Sequence, residues 1–294
     1  MPSPFLSVVI PALDEERFLP GLLSDLSHQT MKDFEVIVVD GGSKDRTVEK
    51  TKTFEGALPS LQVLQSERAN VSVQRNTGGK LATGTYLLFF DADTRIPRYF
   101  LEGIHYNLMK KQADVFTCWA VPDKKSAEAD LIIRAQNIAC EGGAMIGIPY
   151  ATGGCLGFRT SIFQKSDGFN PAIRYMEDAE ITRRLDKAGH ALTVFRDPMY
   201  ICSMRRFRKE GTLKLIAKLV PTLTLSMIDI RESFQNIPHL YPMNGGAYYK
   251  KRRTKTKPTL IRLKEYDRIF RKLLHSRKKK IQQSIQSLTQ YFLS

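Results

Sequence analysis

The stretch Tyr86-Leu87-Leu88-Phe89-Phe90-Asp91-Ala92-Asp93 contains the pattern that decides the fold. Its unbroken apolar run, followed at once by acids, is typical of a buried β-strand that ends in a polar loop. Continuous apolar strands of this kind occur in parallel sheets that are covered by helices on both faces. We therefore expect an α/β protein in which Asp91 and Asp93 lie at the carboxyl edge of a sheet.

Similar short runs occur on both sides of this stretch and alternate with helix-length segments. The predicted strands are 7–10, 34–39, 61–64, 86–90, 115–119, 154–158 and 191–196, and a helix is predicted over 175–188 with Gly189 as its stop signal. This alternation predicts a mostly parallel sheet flanked by helices and joined by right-handed crossovers.

Polar and acidic residues follow three of these strands. The segments are Pro11-Ala12-Leu13-Asp14-Glu15, Asp40-Gly41-Gly42-Ser43-Lys44-Asp45 and Asp91-Ala92-Asp93. Each segment taken alone is also explained as the cap of the next helix. Because ligands of such sheets bind beyond the carboxyl ends of the strands, the three segments together predict one binding site.

The Asp-x-Asp spacing suits a hard divalent cation. Mg²⁺ and Mn²⁺ prefer oxygen ligands, often carboxylates together with substrate phosphates. Asp91 and Asp93 are therefore candidate ligands of a metal that would neutralise charge on a diphosphate leaving group.

A second acidic group, Glu177-Asp178-Ala179-Glu180, opens the predicted helix. The helix dipole favours an ionised acid there and the neighbouring acids oppose it, so no direction of pKa shift is predicted. Glu180 and Arg184 have the i, i+4 spacing of a surface ion pair. Asp178 faces elsewhere on the helix and is a candidate general base.

Arg205 and Arg206 follow the last predicted strand and allow two interpretations. They supply cations for a diphosphate or an anionic acceptor, or they simply begin the basic C-terminal tail.

Residues 6 to about 210 resemble the family-2 glycosyltransferases of the GT-A fold. The resemblance rests on segments 7–16, 38–47, 75–78, 91–93 and 177–180, which occur in the order of the family's motifs. It implies that the first loop, including Pro11, binds a nucleotide-sugar donor, and that base and ribose are lined by Ala12, Leu13, Glu15 and Asp40. It further implies that Asp91 contacts the nucleotide, Asp93 holds the metal and Asp178 is the base.

The resemblance implies an inverting single displacement. Asp178 would deprotonate an acceptor hydroxyl, which attacks the sugar as a nucleoside diphosphate leaves; with a lipid phosphate as acceptor it would only position the acceptor. The family often has Asn at the position of Asp14 and Asp at that of Gly41, so this chain departs from the family's pattern at two positions of the base-binding loops. Since the QxxRW signature of processive synthases is absent, we expect transfer of one sugar per encounter to a lipid-linked, polyprenyl phosphate or saccharide acceptor.

The basic charge is confined to one end of the chain. The net charge is +15, and residues 204–294 carry 22 basic and 5 acidic residues, so residues 1–203 are nearly neutral. We therefore expect a GT-A domain over 1–210 and a basic, largely helical extension over 211–294. Apolar residues at helical spacing after residue 260 predict an amphipathic helix that binds an anionic membrane or packs on the body.

The cellular context is also predicted from the sequence. The four cysteines form no CxxC pair, no secretory signal is recognised and no apolar run is long enough to cross a bilayer. We expect a cytoplasmic protein, with peripheral contact at the cytoplasmic membrane face if the tail binds lipid. Two alternatives are a nucleotidyltransferase and a nucleic-acid-binding protein; the neutral body and the lack of a nucleic-acid motif argue against the second.

Overall fold

A computed structural model describes residues 3–173, 176–211 and 246. The chain divides into two units, 1–250 and 251–294, and all described residues belong to the first. The predicted extension over 211–294, including its amphipathic helix, lies outside the described residues except for Gly211 and Gly246. The boundary at residue 210 stays a prediction.

Strands and helices alternate along most of the described chain. In chain order they are β1 (Leu6–Ala12), α1 (Leu19–Ser27), β2 (Phe34–Asp40), α2 (Thr47–Lys52), β3 (Leu61–Gln65), α3 (Val71–Leu81), β4 (Tyr86–Phe89), α4 (Phe100–Lys111), β5 (Val115–Pro122), α5 (Ala127–Met145), β6 (Leu156–Arg159), α6 (Thr160–Lys165), α7 (Glu177–Lys187), β7 (Leu192–Cys202) and α8 (Arg205–Glu210).

The strands form one seven-stranded sheet in the order β3-β2-β1-β4-β6-β5-β7. β6 runs antiparallel to both of its neighbours, and the remaining pairs are parallel. The mostly parallel α/β sheet is thus confirmed. Because β1, β2 and β4 are parallel neighbours, their carboxyl ends meet at one edge, as the acidic loops predicted.

Both faces of the sheet are buried, in accord with the continuous apolar strands. Side chains alternate across β1: Val8 and Ile10 belong to the core cluster that includes α1 and α4, whereas Val9 belongs to the cluster that includes α6 and α7. This double burial fixes the strands, and hence the loops at their ends.

Three predicted strands were ended too early. β5 was predicted to end at residue 119 and continues to Pro122. β1 continues through Pro11 and Ala12, which were assigned to the loop. Its pairing with β4 ends at Val9, so beyond that point only β2 pairs with β1 and a residue without an N–H is tolerated. β7 continues past Pro198 to Cys202, because its residues 196–199 lie opposite Trp119 alone and the ladder resumes at Tyr200.

The C-terminal end of α7 follows its prediction closely. The helix ends at Lys187 and Gly189 has φ +94°, a left-handed conformation that glycine adopts without strain.

Among the helices of the described residues, none combines the length and apolarity needed to span a membrane.

Candidate active site

The loops after β1 and β2 hold each other in place at the carboxyl edge. The buried Asp40 carboxylate accepts N–H bonds from Gly42 and Ser43, each 2.9 Å. Ser43 Oγ accepts a 2.8 Å bond from the N–H of Asp14, whose carboxylate accepts one of 2.7 Å from the N–H of Lys44. Asp40 therefore shapes the loop that the resemblance assigns to the nucleotide.

Glu15 is buried in an ion pair beneath this loop. Its N–H donates to Thr47 Oγ1 at 2.8 Å, and its carboxylate accepts bonds of 2.8 and 2.7 Å from the two terminal nitrogens of Arg205. Burial raises the pKa of Glu15, and Arg205 opposes that rise. The structure thus joins the predicted nucleotide-binding acid to a predicted diphosphate-binding arginine.

The same arginine reaches the Asp-x-Asp triplet. Arg205 Nε lies 2.6 Å from Oδ2 of Asp93, and its guanidinium covers the ring of Phe18 at 4.5 Å. Burial raises the pKa of Asp93, while Arg205 favours the ionised form. Arg206 is half-buried on the same helix, α8, directly after β7.

A second arginine, Arg75 of α3, holds the other acid of the triplet. Its side chain is only 2% exposed and donates to Asp91 at 2.9 Å and to Glu177 at 2.8 Å. Burial would lower the pKa of Arg75, but the carboxylates of Asp91, Glu177 and Asp178 outweigh burial and raise it. This pair of contacts connects the loop after β4 to the first turn of α7.

Asp178 stands beside this connection and is half-buried. Its Oδ2 accepts the N–H of Gly153 at 2.7 Å and its Oδ1 that of Ala179 at 2.8 Å. Burial, with Glu177 adding to it and Arg75 opposing it, raises the pKa of Asp178 to about 7. A carboxyl group of that pKa exchanges protons near neutral pH, as a general base requires.

Glu180 forms the predicted pair with Arg184, 2.9 Å apart, but the prediction that the pair lies on the surface was wrong. Glu180 is buried, and Arg184 also donates to the carbonyl of Gly168. Glu180 is therefore engaged in the packing of α7.

Sequence reasoning missed three parts of this site. Arg75 and Glu177 were recognised only as members of motifs. Charged residues are rarely buried unless they are paired, so a charged residue on the buried side of a helix is a signal of an ion pair. The third is Gly246, whose N–H donates to the carbonyl of Leu13 at 2.9 Å and where a Cβ would lie 1.9 Å from the carbonyl oxygen of Asp14. Residue 246 was assigned to the extension, yet it packs on the first acidic loop.

The two acids of the triplet suit a divalent ion as a shared pair of ligands. Within 3–173 and 176–211, no three His, Cys, Asp or Glu side chains form a ready metal cluster. Mg²⁺ and Mn²⁺ are nevertheless often held by one or two carboxylates plus substrate phosphates, which Asp91 and Asp93 can provide. The carboxylates fit such an ion on condition that Arg205 gives up its contact with Asp93.

Comparison with known proteins places the chain in a family. The family model described as "Glycosyl transferase family 2" matches residues 7–167, more than half of the chain. "Glycosyltransferase GlyA" of Streptococcus pneumoniae serotype 4 is 31% identical over 37% of this chain and 16% of that protein. "PGL/p-HBAD biosynthesis glycosyltransferase" of Mycobacterium bovis is 38% identical over 32% of this chain and 37% of that protein. The chain thus spans well under half the length of these curated relatives.

Solved structures confirm the fold. The mannosyltransferase PcManGT from Pyrobaculum calidifontis, in complex with GDP-Man and Mn²⁺, has a TM-score of 0.61 at 19% identity and covers 79% of this chain and 66% of that one. TarS 1-349 of S. aureus, in complex with UDP-GlcNAc, has a TM-score of 0.56 at 20% identity and covers 75% and 66%. The sheet and its helices are the GT-A fold, and the chain belongs to glycosyl transferase family 2.

Proposed function

We propose that the protein transfers a single sugar from a nucleoside-diphosphate sugar to an acceptor, with inversion at the anomeric carbon. The observation that carries the proposal is the buried link through Arg75. It joins Asp91, on the edge assigned to the sugar donor, to the turn that presents Asp178. An acid for the donor and a base for the acceptor are thereby held at a fixed separation, which favours reaction of two bound partners.

The sugar donor would bind against the loops after β1, β2 and β4. Pro11, Ala12, Leu13 and Asp40 are placed at adjoining strand ends, where base and ribose would lie. Asp91 and Asp93 would hold a divalent ion, which when bound supplies neutralisation of charge on the diphosphate leaving group. Arg205 contacts Asp93 at this edge and Arg206 follows it in α8, and both would add positive charge for the phosphates.

Asp178 would accept the proton of an acceptor hydroxyl. Its pKa is raised to about 7, close to neutral pH, and the N–H of Gly153 orients one carboxylate oxygen. The proton would move to the carboxylate as the hydroxyl oxygen forms its bond to the anomeric carbon, and the bond from that carbon to the diphosphate would break, releasing the nucleoside diphosphate. If the acceptor is a lipid phosphate, which is already ionised, Asp178 would only position it.

The acceptor would be lipid-linked, a polyprenyl phosphate or a saccharide, and we propose a hexose as the transferred sugar. Peripheral contact with an anionic membrane through residues 211–294 follows from their excess of basic residues. Co-sedimentation with anionic vesicles at low salt, reversed at high salt, is the expected result; no binding at low salt would remove the membrane from the proposal.

The activity is tested with a panel of UDP-, GDP- and dTDP-sugars, with Mg²⁺ or Mn²⁺, by measuring release of nucleoside diphosphate. We expect metal-dependent release that Asp93→Ala abolishes. The matched control is Asp114→Ala, whose carboxylate instead pairs with Arg159 and His190. Full activity of Asp93→Ala would refute the metal role, and release of pyrophosphate from nucleoside triphosphates would favour a nucleotidyltransferase.

A further inference from the structure

Arg205 is placed where it meets both the sugar-donor loop and the predicted metal ligand. Its two terminal nitrogens bind Glu15, its Nε lies 2.6 Å from Oδ2 of Asp93, and its side chain is 13% exposed. The one positive charge of this guanidinium is thus shared by the buried carboxylate of Glu15 and the half-buried carboxylate of Asp93. Removal of such a charge leaves acids in a site that penalises ionised groups.

A divalent ion on Asp93 would require the oxygen that Arg205 contacts, or its neighbour on the same carboxylate. The ion and the guanidinium are both positive, and at a separation of a few ångströms in a partly buried site they repel strongly. An ion on either oxygen of Asp93 therefore weakens the contact between Arg205 and that carboxylate. Glu15 keeps a bidentate bond to Arg205 that does not depend on Asp93, so the arginine has a second attachment if the first is lost.

We propose that Arg205 is an exchangeable cation. It neutralises Asp93 before the metal binds, gives up Asp93 when the ion arrives, and then bonds to the diphosphate of the sugar donor while Glu15 retains it. The inference rests on the proposed function for the identity of the ligands. It goes beyond that function because it assigns two successive partners to one side chain and makes metal and arginine competitors.

The first test measures binding of Mn²⁺ alone, by electron paramagnetic resonance of the free ion. Without a competing cation, Arg205→Met should bind Mn²⁺ about tenfold or more tightly than wild type, since its acids lack a partner. Arg208→Met is the matched control: Arg208 lies on the same helix and binds Asp123 through both terminal nitrogens, so its loss should leave Mn²⁺ affinity unchanged. Asp93→Asn should abolish the gain when combined with Arg205→Met.

The second test measures binding of UDP and GDP at saturating Mn²⁺, by calorimetry. Here Arg205→Met should weaken binding about tenfold or more, because a charge-assisted hydrogen bond to the diphosphate is lost. The exchange thus predicts effects of opposite sign on the metal alone and on the nucleotide. A merely structural arginine would weaken both.

The outcomes separate the inference from the proposed function. Unchanged or weaker Mn²⁺ binding in Arg205→Met, or unchanged nucleotide binding, would overturn the exchange. Failure of wild type itself to bind UDP or GDP with Mn²⁺ would instead count against the proposed function. If Arg205→Met does not fold, as judged by circular dichroism, Arg205→Lys is measured instead. Lysine keeps the charge but lacks the two terminal nitrogens of the guanidinium, so it should strengthen Mn²⁺ binding and weaken nucleotide binding by smaller factors.

Discussion

Two arginines each hold one acid of the Asp91-Ala92-Asp93 triplet, but in different surroundings. Arg75 lies within α3, is 2% exposed, and joins Asp91 to Glu177. Arg205 lies at the start of α8, is 13% exposed, and joins Asp93 to Glu15. Each guanidinium thus bridges the triplet to a buried carboxylate from another part of the chain, Glu177 or Glu15.

The difference in surroundings shows how one loop can hold one acid in a fixed contact and the other in a contact that can be exchanged. Arg75 is enclosed by neighbours that leave it no room: its guanidinium lies 5.1 Å from the centre of the Phe169 ring, and Gly153 packs against its terminal nitrogen. Arg205 lies on the short helix α8, and its long side chain is closer to solvent than that of Arg75. Asp91 is therefore fixed by its arginine, whereas Asp93 is held by one that can leave.

The largest effect that would test this contrast is the loss of Arg75. Arg75→Met leaves Glu177 and Asp91 without their shared cation, and breaking a buried ion pair costs about 3–5 kcal/mol of unfolding free energy. We expect Arg205→Met to cost clearly less, because its site is closer to solvent. Urea unfolding followed by circular dichroism measures both.

The control for this comparison is Arg46→Met, whose pair with Glu49 is exposed on both sides. Exposed pairs contribute little, so its unfolding curve should match wild type. If Arg75→Met and Arg205→Met lower the free energy of unfolding equally, the inferred difference between the two arginines is wrong.

A smaller effect on the same bridge is expected from Gly153→Ala. A Cβ at this position would lie 2.2 Å from a terminal nitrogen of Arg75, which is held in place and cannot move aside cheaply. We expect a loss of about 1–3 kcal/mol of unfolding free energy, as for other overpacked buried sites. The same change should lower turnover, since the N–H of Gly153 also orients Asp178.

Gly142→Ala is the matched control for this glycine. It lies within α5, and a Cβ there meets nothing within 4 Å. Alanine should stabilise the helix there by about 0.5–1 kcal/mol. Wild-type stability and turnover in Gly153→Ala would mean that Arg75 is free to move, which would weaken the contrast.

The rigid bridge also predicts the pH dependence of the reaction. Asp178 must be ionised to act as a base and its pKa is raised to about 7, so kcat/KM should rise through an acidic limb near that pH. Because the neighbouring Glu177 adds to this rise, Glu177→Gln should move the limb to lower pH. Asp114→Asn should not move it, since the Asp114 carboxylate pairs with Arg159 and His190 instead.

The contribution of Asp178 to folding stability depends on pH in the opposite direction to kcat/KM. The folded state binds the Asp178 proton more tightly than the unfolded state, so this group's contribution to stability falls as pH rises from about 4 to 7. A limb that stays in place or moves upward in Glu177→Gln, measured from pH 5 to about 9, would contradict the role given to the bridge.

The sheet and its acidic edge could be predicted from the sequence because they depend on local patterns. Apolar runs identify strands, and the loops at parallel strand ends must meet, so the pattern alone places Asp40 and Asp91 at one edge, where the sheet has them. Strand ends were less accurate where a proline did not end a strand, as at Pro11 and Pro198. Those positions depend on which neighbour pairs with which, and a local pattern does not contain that information.

The partners of the charged residues were not predictable for a related reason. Arg75 and Glu177 are 102 positions apart, and Glu15 and Arg205 are 190 apart. Sequence spacing indicates pairs only within a helix, which is why Glu180 and Arg184 were paired correctly while their burial was missed. The catalytic, metal and nucleotide roles given to the site residues stay predictions.

The smallest expected effect concerns Gly246, which touches the loop on the side of Arg205. Alanine at this position would place a Cβ 1.9 Å from the carbonyl oxygen of Asp14, so the turn must withdraw or the loop must shift. Glu15 follows Asp14 in that loop and binds Arg205. We therefore expect the affinity for the nucleotide to fall about fivefold, which is a small change in binding free energy. Calorimetry with UDP or GDP and Mn²⁺ measures it, with Gly142→Ala as the control. A decrease would make residue 246 part of the sugar-donor site and move the functional boundary beyond residue 210; an unchanged affinity would mean that the loop keeps Arg205 in place without this contact.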